Sequence, residues 1–538
     1  DLNVSRALST ARCVAEPGGT ASMVYELPEF AWTDGAFLAR QKEARRRPIS
    51  IYEVHAGSWK AGLGYRELAH ELVDYARDMG YTHIELMPLM EYPYDPSWGY
   101  QVTGYYAATA RYGTPEDLMY LVNRAHEHGI GVIMDWVPAH FTRDAHGLRR
   151  FDGSCCYEHP DARRSDMPQW GTLLFDFDRT QVHSFLLSNA LFWLKEYHFD
   201  GLRVDAVSCM LYHDFGKEDG QWLPNQYGGR DNLGAVAFLQ KLNEAVRELP
   251  TEKLIFAEDS TAYPQITHSK ADGGLGFSFK WNMGWMNDML SYMEMDSFFR
   301  KWNHNKLTFS LCYAFSEAFV LPLSHDEVVH GKRSLLSKMP GDYWQKFAQL
   351  RLLYACQYAH PGKKLLFMGG EFGQFIEWNF AESLDWLLLD YDKHRELQRM
   401  VRDLNRFYAA EPTLYREDDS WKGFKWLAVD DSVHSIAAWL RLDGRGGALL
   451  CAFNFTPVPW QEYRVGVPAA GVYSEVFSTD DARYGGTGEY ANPMAETIGE
   501  PLGGFAQQLS LRLPPYGAVY LRYQGEFPDG GEDDGAAE

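Results

Sequence analysis

The chain has 538 residues, 46% of them hydrophobic and 23% charged, and a formal net charge of −22. That length buries a large core and predicts more than one domain. The charge balance argues against nucleic acid or an anionic membrane as partner, since both select clustered Lys and Arg; the one basic run, Arg45-Arg46-Arg47, reads as a solvated linker.

Residues 1–48 are weakly periodic and hold Pro and Gly, which suits a lead-in from a preceding domain. The sequence opens on Asp1 rather than Met, as expected of a fragment or processed product. No secretory signal follows, and no stretch reaches the ~18 consecutive apolar residues of a membrane span.

From residue 49 a short apolar, β-branched run alternates with a helical one. Candidate strands lie at 49–57, 81–89, 131–138, 201–207, 254–260, 276–282, 319–325 and 364–372. One intervening helix carries Leu68, Leu72, Tyr75 and Met79 on one face, and another opens at Thr114-Pro115-Glu116-Asp117 with a cap, an early Pro and early acids. Eight strands alternating with helices predict an α/β fold, a (β/α)8 TIM barrel. The connections at 141–179 and 208–231 are too long for turns, and long loops at the carboxyl ends of barrel strands are where active sites are built. Beyond about residue 425 the helical rhythm stops. Runs at 435–442, 449–455 and 518–523 alternate with Gly, Asp and Pro turns, predicting an antiparallel all-β domain. The expected organisation is a lead-in at 1–48, a barrel at 49–425, a β-sandwich at 426–525 and a disordered acidic tail at 526–538. Seven cysteines, scattered except for adjacent Cys155-Cys156, read as reduced thiols in a cytoplasmic protein.

Acids stand near four strand ends: Asp135, Asp205, Glu258 and Asp326. Side chains alternate along a strand, so Arg203 and Asp205 share a face and Leu202, Val204 and Ala206 the other. With the apolar set packed outward, Arg203 points inward and aims the Asp205 carboxylate. One such pair is as readily a structural ion pair as a functional one. Four acids near one axis are costly to bury without a ligand or donors to compensate. Carboxylate clusters in an aromatic-rich cleft suit glycosyl transfer through an oxocarbenium-like transition state. Asp205, beside Arg203, suits the nucleophile. Glu258, with no cation adjacent in sequence, suits the proton donor if its pKa is raised.

Asp135-Trp136-Val137-Pro138-Ala139-His140, residues 201–207, Ala257-Glu258-Asp259-Ser260-Thr261 and His325-Asp326-Glu327-Val328-Val329-His330 resemble, in order, the four signature regions of the α-amylase superfamily. Their spelling, with Glu91 through Gln101 and Lys280 through Met286, is similar to glycogen branching enzymes, from about residue 27 to the last strands. The resemblance implies that Asp205 forms the covalent glycosyl-enzyme and Glu258 acts as acid, then base. It implies that Asp326 holds donor hydroxyls, Arg203 orients Asp205, His140 and His325 bond the same sugar, Tyr100 stacks on it and Asp135 completes the cluster. His325 and Asp326 can both reach that sugar only if the strand ends there. Trp98, in a Pro- and Gly-rich loop, reads as an exposed functional ring. Calcium-dependent members of the superfamily carry Asn where this chain has Ala139, whose methyl cannot bind a hard cation, so no calcium is expected at that site; the resemblance implies no other metal or cofactor. The expected partner is an α-glucan polysaccharide (glycogen, amylose or amylopectin), handled by a monomer. Members of the family normally carry a β-sandwich before the barrel, and the stretch through Tyr25-Glu26-Leu27-Pro28 resembles only the exit from one.

Other motifs fail. His325 and His330 lack the zinc-protease pattern, Gly331-Lys332 lacks the earlier Gly of a phosphate loop, and Gly273-Gly274-Gly276 makes no dinucleotide fingerprint. Phe192, Trp193 and Tyr197 read as core. The alternatives are another α-glucan hydrolase of the superfamily, debranching or trehalose-releasing, and a non-catalytic glucan-binding barrel.

Overall fold

A computed structural model describes residues 19–527 except 24 and 28. The rest of the lead-in and the acidic tail from 528 lie outside the described residues.

Eight strands, each followed by helical structure, close into a barrel in chain order: β1 (Ser50–Val54), β2 (His83–Leu86), β3 (Gly131–Trp136), β4 (Gly201–Val204), β5 (Leu254–Ala257), β6 (Phe279–Trp281), β7 (Phe319–Leu323) and β8 (Lys363–Phe367). Every expected strand is present and each is shorter than expected, because apolar residues continue into the loops past the last ladder bond. The barrel strands are buried on both faces, which is why they read as continuous apolar runs rather than alternating ones. The described chain divides into two compact units, one built from residues up to 44 with 51–281 and 379–384, the other from 45–50, 282–378 and 385 onward.

In the first unit, α1 (Tyr65–Asp78) buries Tyr65, Leu68, Ala69, Leu72, Val73 and Ala76, the helical stripe of a barrel-covering helix, while Tyr75 is half-buried. The Thr114 hydroxyl caps α2 (Pro115–Glu127) by accepting from the Asp117 N–H at 3.3 Å, and the Asp117 carboxylate accepts from the Thr114 N–H at 3.0 Å. Helix α3 (Thr180–Glu196) sends Asn189 inward to accept from the Trp136 indole N–H at 2.7 Å, fixing the end of β3. Phe192, Trp193 and Tyr197 are buried, as core residues should be. At the start of β4 a Cβ on Gly201 would stand 2.4 Å from the Leu254 carbonyl oxygen, so glycine is what lets β5 approach in register.

The second unit contains β7, β8 and the carboxyl-terminal strands. Six of these, β9 (Phe424–Ala428), β10 (Ile436–Leu442), β11 (Ala448–Asn454), β13 (Val472–Ser478), β14 (Ala495–Glu496) and β16 (Gly517–Tyr523), form a sheet ordered β9-β10-β11-β16-β13-β14. Strands β12 (Trp460–Val467) and β15 (Gln507–Leu513) form a separate pair. Along β15, Leu509, Leu511 and Leu513 are buried between exposed Ser510 and Arg512, and they pack with Leu450, Ala452, Val465, Val519 and Leu521 into the sandwich core. No disulfide joins the six described cysteines.

The described lead-in packs on the first unit. Phe37 stacks on His126 of α2 at 4.4 Å, and Asp34 accepts from His126 Nδ1 at 3.0 Å. His126 Nε2 donates to Asp200 at 2.8 Å, so one buried imidazolium joins the lead-in, α2 and the entry to β4. Burial lowers the His126 pKa, but Asp200 and Asp34 outweigh it and raise the value to about 9. Because the folded value lies above the unfolded one, the stabilisation is full below pH ~6.5 and is lost as pH rises through about 9. Chemical denaturation from pH 6.5 to 9.5 should therefore show stability falling in the parent chain. His126→Gln should be less stable at pH 6.5 by ~3–5 kcal/mol, the cost of breaking a buried pair, with a flatter slope. Equal slopes in both proteins would remove His126 from that role.

Candidate active site

Three neighbouring strands of the first unit set the site. Asp135 on β3 stands in register with Arg203 on β4, and Arg203 with Phe256 on β5. The ladder runs one step further: the Asp205 N–H donates to the Trp136 carbonyl at 3.0 Å and the Glu258 N–H to the Val204 carbonyl at 3.1 Å. Strand β4 was expected to reach residue 207 and stops at Val204, because Ala206 adopts the left-handed conformation with φ 51°. That turn aims the Ala206 N–H at Glu258 Oε2, 2.7 Å away, and the Val207 N–H at the Glu258 carbonyl, 2.9 Å away.

Arg203 is the hub. Its Nη1 lies 2.8 Å from both Asp135 carboxylate oxygens and 2.8 Å from Asp205 Oδ1, and its Nη2 lies 3.8 Å from Glu258 Oε2. The guanidinium sits over the Trp281 ring at 4.6 Å. Burial lowers its pKa, yet Asp135, Tyr100, Asp205 and Glu258 together hold it well above the ordinary value. Glu258, which has no cation beside it in the sequence, thus gains one across the strands. Burial, with the charge of Asp205, raises the Asp135 carboxyl more than Arg203 and Tyr100 lower it. The Tyr100 hydroxyl donates to Asp135 Oδ2 at 2.6 Å, and burial together with Asp135 keeps that phenol protonated. His140, itself left-handed with φ 51°, places Nε2 3.1 Å from Asp205 Oδ2. Asp205 and Glu258 keep 8% and 16% of their side chains exposed, enough for a ligand to touch them.

Arg203 therefore gathers Tyr100, Asp135, Asp205 and Glu258, with His140 on Asp205. His325 and Asp326 follow β7 in the second unit. The strand does end before them, at Leu323, and a 3₁₀ turn over His325–Val328 brings His325 Nε2 to 3.5 Å from Asp326 Oδ1. Asp326 exposes 46% of its side chain and His325 only 2%. Trp98 is partly buried rather than exposed. It closes the turn Asp95–Ser97 at φ 57°, with its N–H on the Asp95 carbonyl at 2.9 Å.

The sequence reading missed an aromatic wall. Trp170 sits at the tip of a hairpin pairing Asp166–Met167 with Thr172–Leu173, packs edge-on to His140 at 4.6 Å and stacks on Phe215 at 6.0 Å. The hairpin lies inside the 141–179 connection and Phe215 inside 208–231, so only those loop lengths hinted at it. Lys280, noted in the sequence only as part of a motif, holds the segment after Glu258 through Asp259 Oδ2 and the Thr261 carbonyl, each at 2.8 Å. Ala139 is buried, and among the described residues no group of three or more His, Cys, Asp or Glu is placed to hold a metal ion.

Residues 64–166 match the α-amylase catalytic domain model and residues 426–524 the α-amylase C-terminal all-β domain model. The crystal structure of a candidate α-amylase from Salmonella typhimurium shares the fold, with TM-score 0.67 and 17% identity over 96% of this chain and 88% of that one. The 1,4-α-glucan branching enzyme GlgB of Halothermothrix orenii is 53% identical over 94% of this chain and 81% of its own length. The GlgB enzymes of Aquifex aeolicus and Rhodopirellula baltica are 52% and 50% identical, covering 82% and 70% of their lengths. The chain belongs to the 1,4-α-glucan branching enzyme (GlgB) family.

Proposed function

We propose that the chain cuts α-1,4-glucan, holds the segment as a covalent ester on Asp205 and passes it to a glucan 6-hydroxyl, making an α-1,6 branch in glycogen biosynthesis. The observation that carries this is the one guanidinium shared by Asp205 and Glu258. Asp205, touched by Arg203 and His140, attacks the anomeric carbon. Glu258 protonates the departing 4-oxygen and later removes the proton of the incoming 6-hydroxyl, so the proton count closes over two displacements. Asp135 and Tyr100 fix the guanidinium from behind. By the signature match, Asp326 and His325 hold the donor hydroxyls. A dry, shaped cleft decides transfer over hydrolysis, and the Trp170–Phe215 wall supports that role.

The partner in this reading is a neutral α-glucan, met by a monomer in the cytoplasm. The net charge of −22 disfavours nucleic acid or an anionic membrane in its place. Among the described residues no helix is long and apolar enough to cross a membrane. No cofactor takes part.

Incubation with amylose should lower iodine staining with little new reducing sugar, and isoamylase should then release short chains; reducing ends rising in step with colour loss would mean hydrolysis instead. Glu258→Gln should cost about 10²–10⁴-fold on amylose and far less on a fluoride donor, whose leaving group needs no proton. Arg203→Lys should cost about 10²–10³-fold in kcat, because an ammonium cannot span three carboxylates. Near-parent kcat in that variant would show that the shared guanidinium is dispensable.

A further inference from the structure

Cys155 and Cys156 are neighbours in the 141–179 connection, and both are partly exposed with free thiols. Of the other described cysteines, Cys209, Cys356 and Cys451 are buried, and Cys312 is exposed without a cysteine beside it in the sequence. Neither thiol of the pair belongs to the carboxylate network around Arg203. The pair nevertheless sits on a ribbon that leads to it. Both carbonyls accept from Arg179 Nη1, at 2.6 Å for Cys155 and 3.3 Å for Cys156, and Arg179 is fixed to Asp176 at 2.9 Å. The Tyr157 carbonyl accepts the Asp176 N–H at 2.8 Å, and Glu158 forms a β-bridge with Phe175. Two residues back along that strand, Leu173 exchanges hydrogen bonds of 2.7 and 2.8 Å with Phe141. Phe141 follows His140, whose Nε2 stands 3.1 Å from Asp205 Oδ2, and the hairpin bearing Trp170 closes on the same strand.

The Cys156 S–H also donates to Asp152 Oδ1 at 3.2 Å, so the reduced pair is held at its backbone and at one side chain. Neighbouring Cα atoms stand about 3.8 Å apart across a trans peptide, short of the ~4.4 Å lower end for disulfides. A bond between the two sulfurs therefore requires the intervening peptide to turn. Turning it draws carbonyls off Arg179 and the Cys156 sulfur off Asp152, which loosens the ribbon behind His140. A strained, exposed disulfide is also readily reduced, the property of regulatory bridges rather than structural ones.

We propose that Cys155 and Cys156 are a reversible modification site, oxidised to an internal disulfide by low-molecular-weight disulfides, and that this bridge slows the enzyme. One thiolate attacks the small disulfide RSSR, forming a mixed disulfide and expelling RS⁻. The second thiolate attacks the protein sulfur of that mixed disulfide and expels the other RS⁻. Two protein thiols are oxidised, one RSSR is reduced to two RSH, and the two thiol protons end on them. The test incubates the full chain with oxidised glutathione and reads peptide masses and the rate at which amylose loses its iodine colour. Transfer and hydrolysis both remove that colour, so the readout holds for either acceptor. The peptide containing residues 155 and 156 should become lighter by two hydrogen masses, and the rate should fall about three- to thirtyfold. Dithiothreitol should reverse both changes. The variant carrying Cys155→Ser and Cys156→Ser should keep the parent rate and ignore the oxidant. Glutathione adducts without the internal bridge, a bridge that leaves the rate unchanged, or an equal loss of rate in the double-serine variant overturns the proposal. A bridge formed in a chain that leaves amylose untouched would keep the modification site and sink the transfer reading alone.

Discussion

A single buried guanidinium organises the first unit. Arg203 is almost wholly out of water, yet Asp135, Asp205 and Glu258 all face it. Three acids around one cation leave an uncompensated negative charge, which a low-dielectric interior penalises heavily. The fold answers with donors rather than further cations. The Tyr100 hydroxyl serves Asp135 and the Ala206 N–H serves Glu258, while His140 stands against Asp205. Burial and the charge of Asp205 raise the Asp135 carboxyl while Arg203 and Tyr100 lower it, and Arg203 holds both Asp135 oxygens at 2.8 Å.

This arrangement carries backbone strain. His140 and Ala206 both sit in the left-handed region without being glycine, each at a cost on the order of 1–2 kcal/mol. They occupy the residues that follow β3 and β4: the Ala206 N–H donates to Glu258, and His140 Nε2 stands 3.1 Å from Asp205 Oδ2. The surrounding core holds them there: Trp136 is locked by Asn189, and Gly201 lets β5 close on β4. Rigidity behind the site thus sustains strain within it.

Much of this was legible in the chain. Eight apolar runs in βα alternation gave the barrel, because parallel strands buried on both faces must be apolar throughout. Period-two alternation put Arg203 and Asp205 on one face, and the ion pair at 2.8 Å follows from it. What could not be read joins distant residues through tertiary contact. The Arg203–Glu258 approach crosses strands, and the Trp170–Phe215 wall joins two long loops. The Arg111–Asp95 ion pair needs the turn at Asp95–Ser97, and the Asp34–His126–Asp200 bridge joins three separate segments. Strand ends were also overrun, since apolar residues such as Val207 continue past the ladder into a helix.

The mechanism turns on Asp205 as the carboxylate that bonds the anomeric carbon and Glu258 as its proton partner. The most direct test is to mix Glu258→Gln with an α-maltosyl fluoride, quench within seconds, digest with pepsin and weigh the peptides. A peptide spanning residue 205 heavier by one maltosyl group, absent when Asp205→Asn is combined with Glu258→Gln, is the predicted result. The same adduct on Asp135, or turnover of the fluoride by the double variant at the single variant's rate, would contradict it.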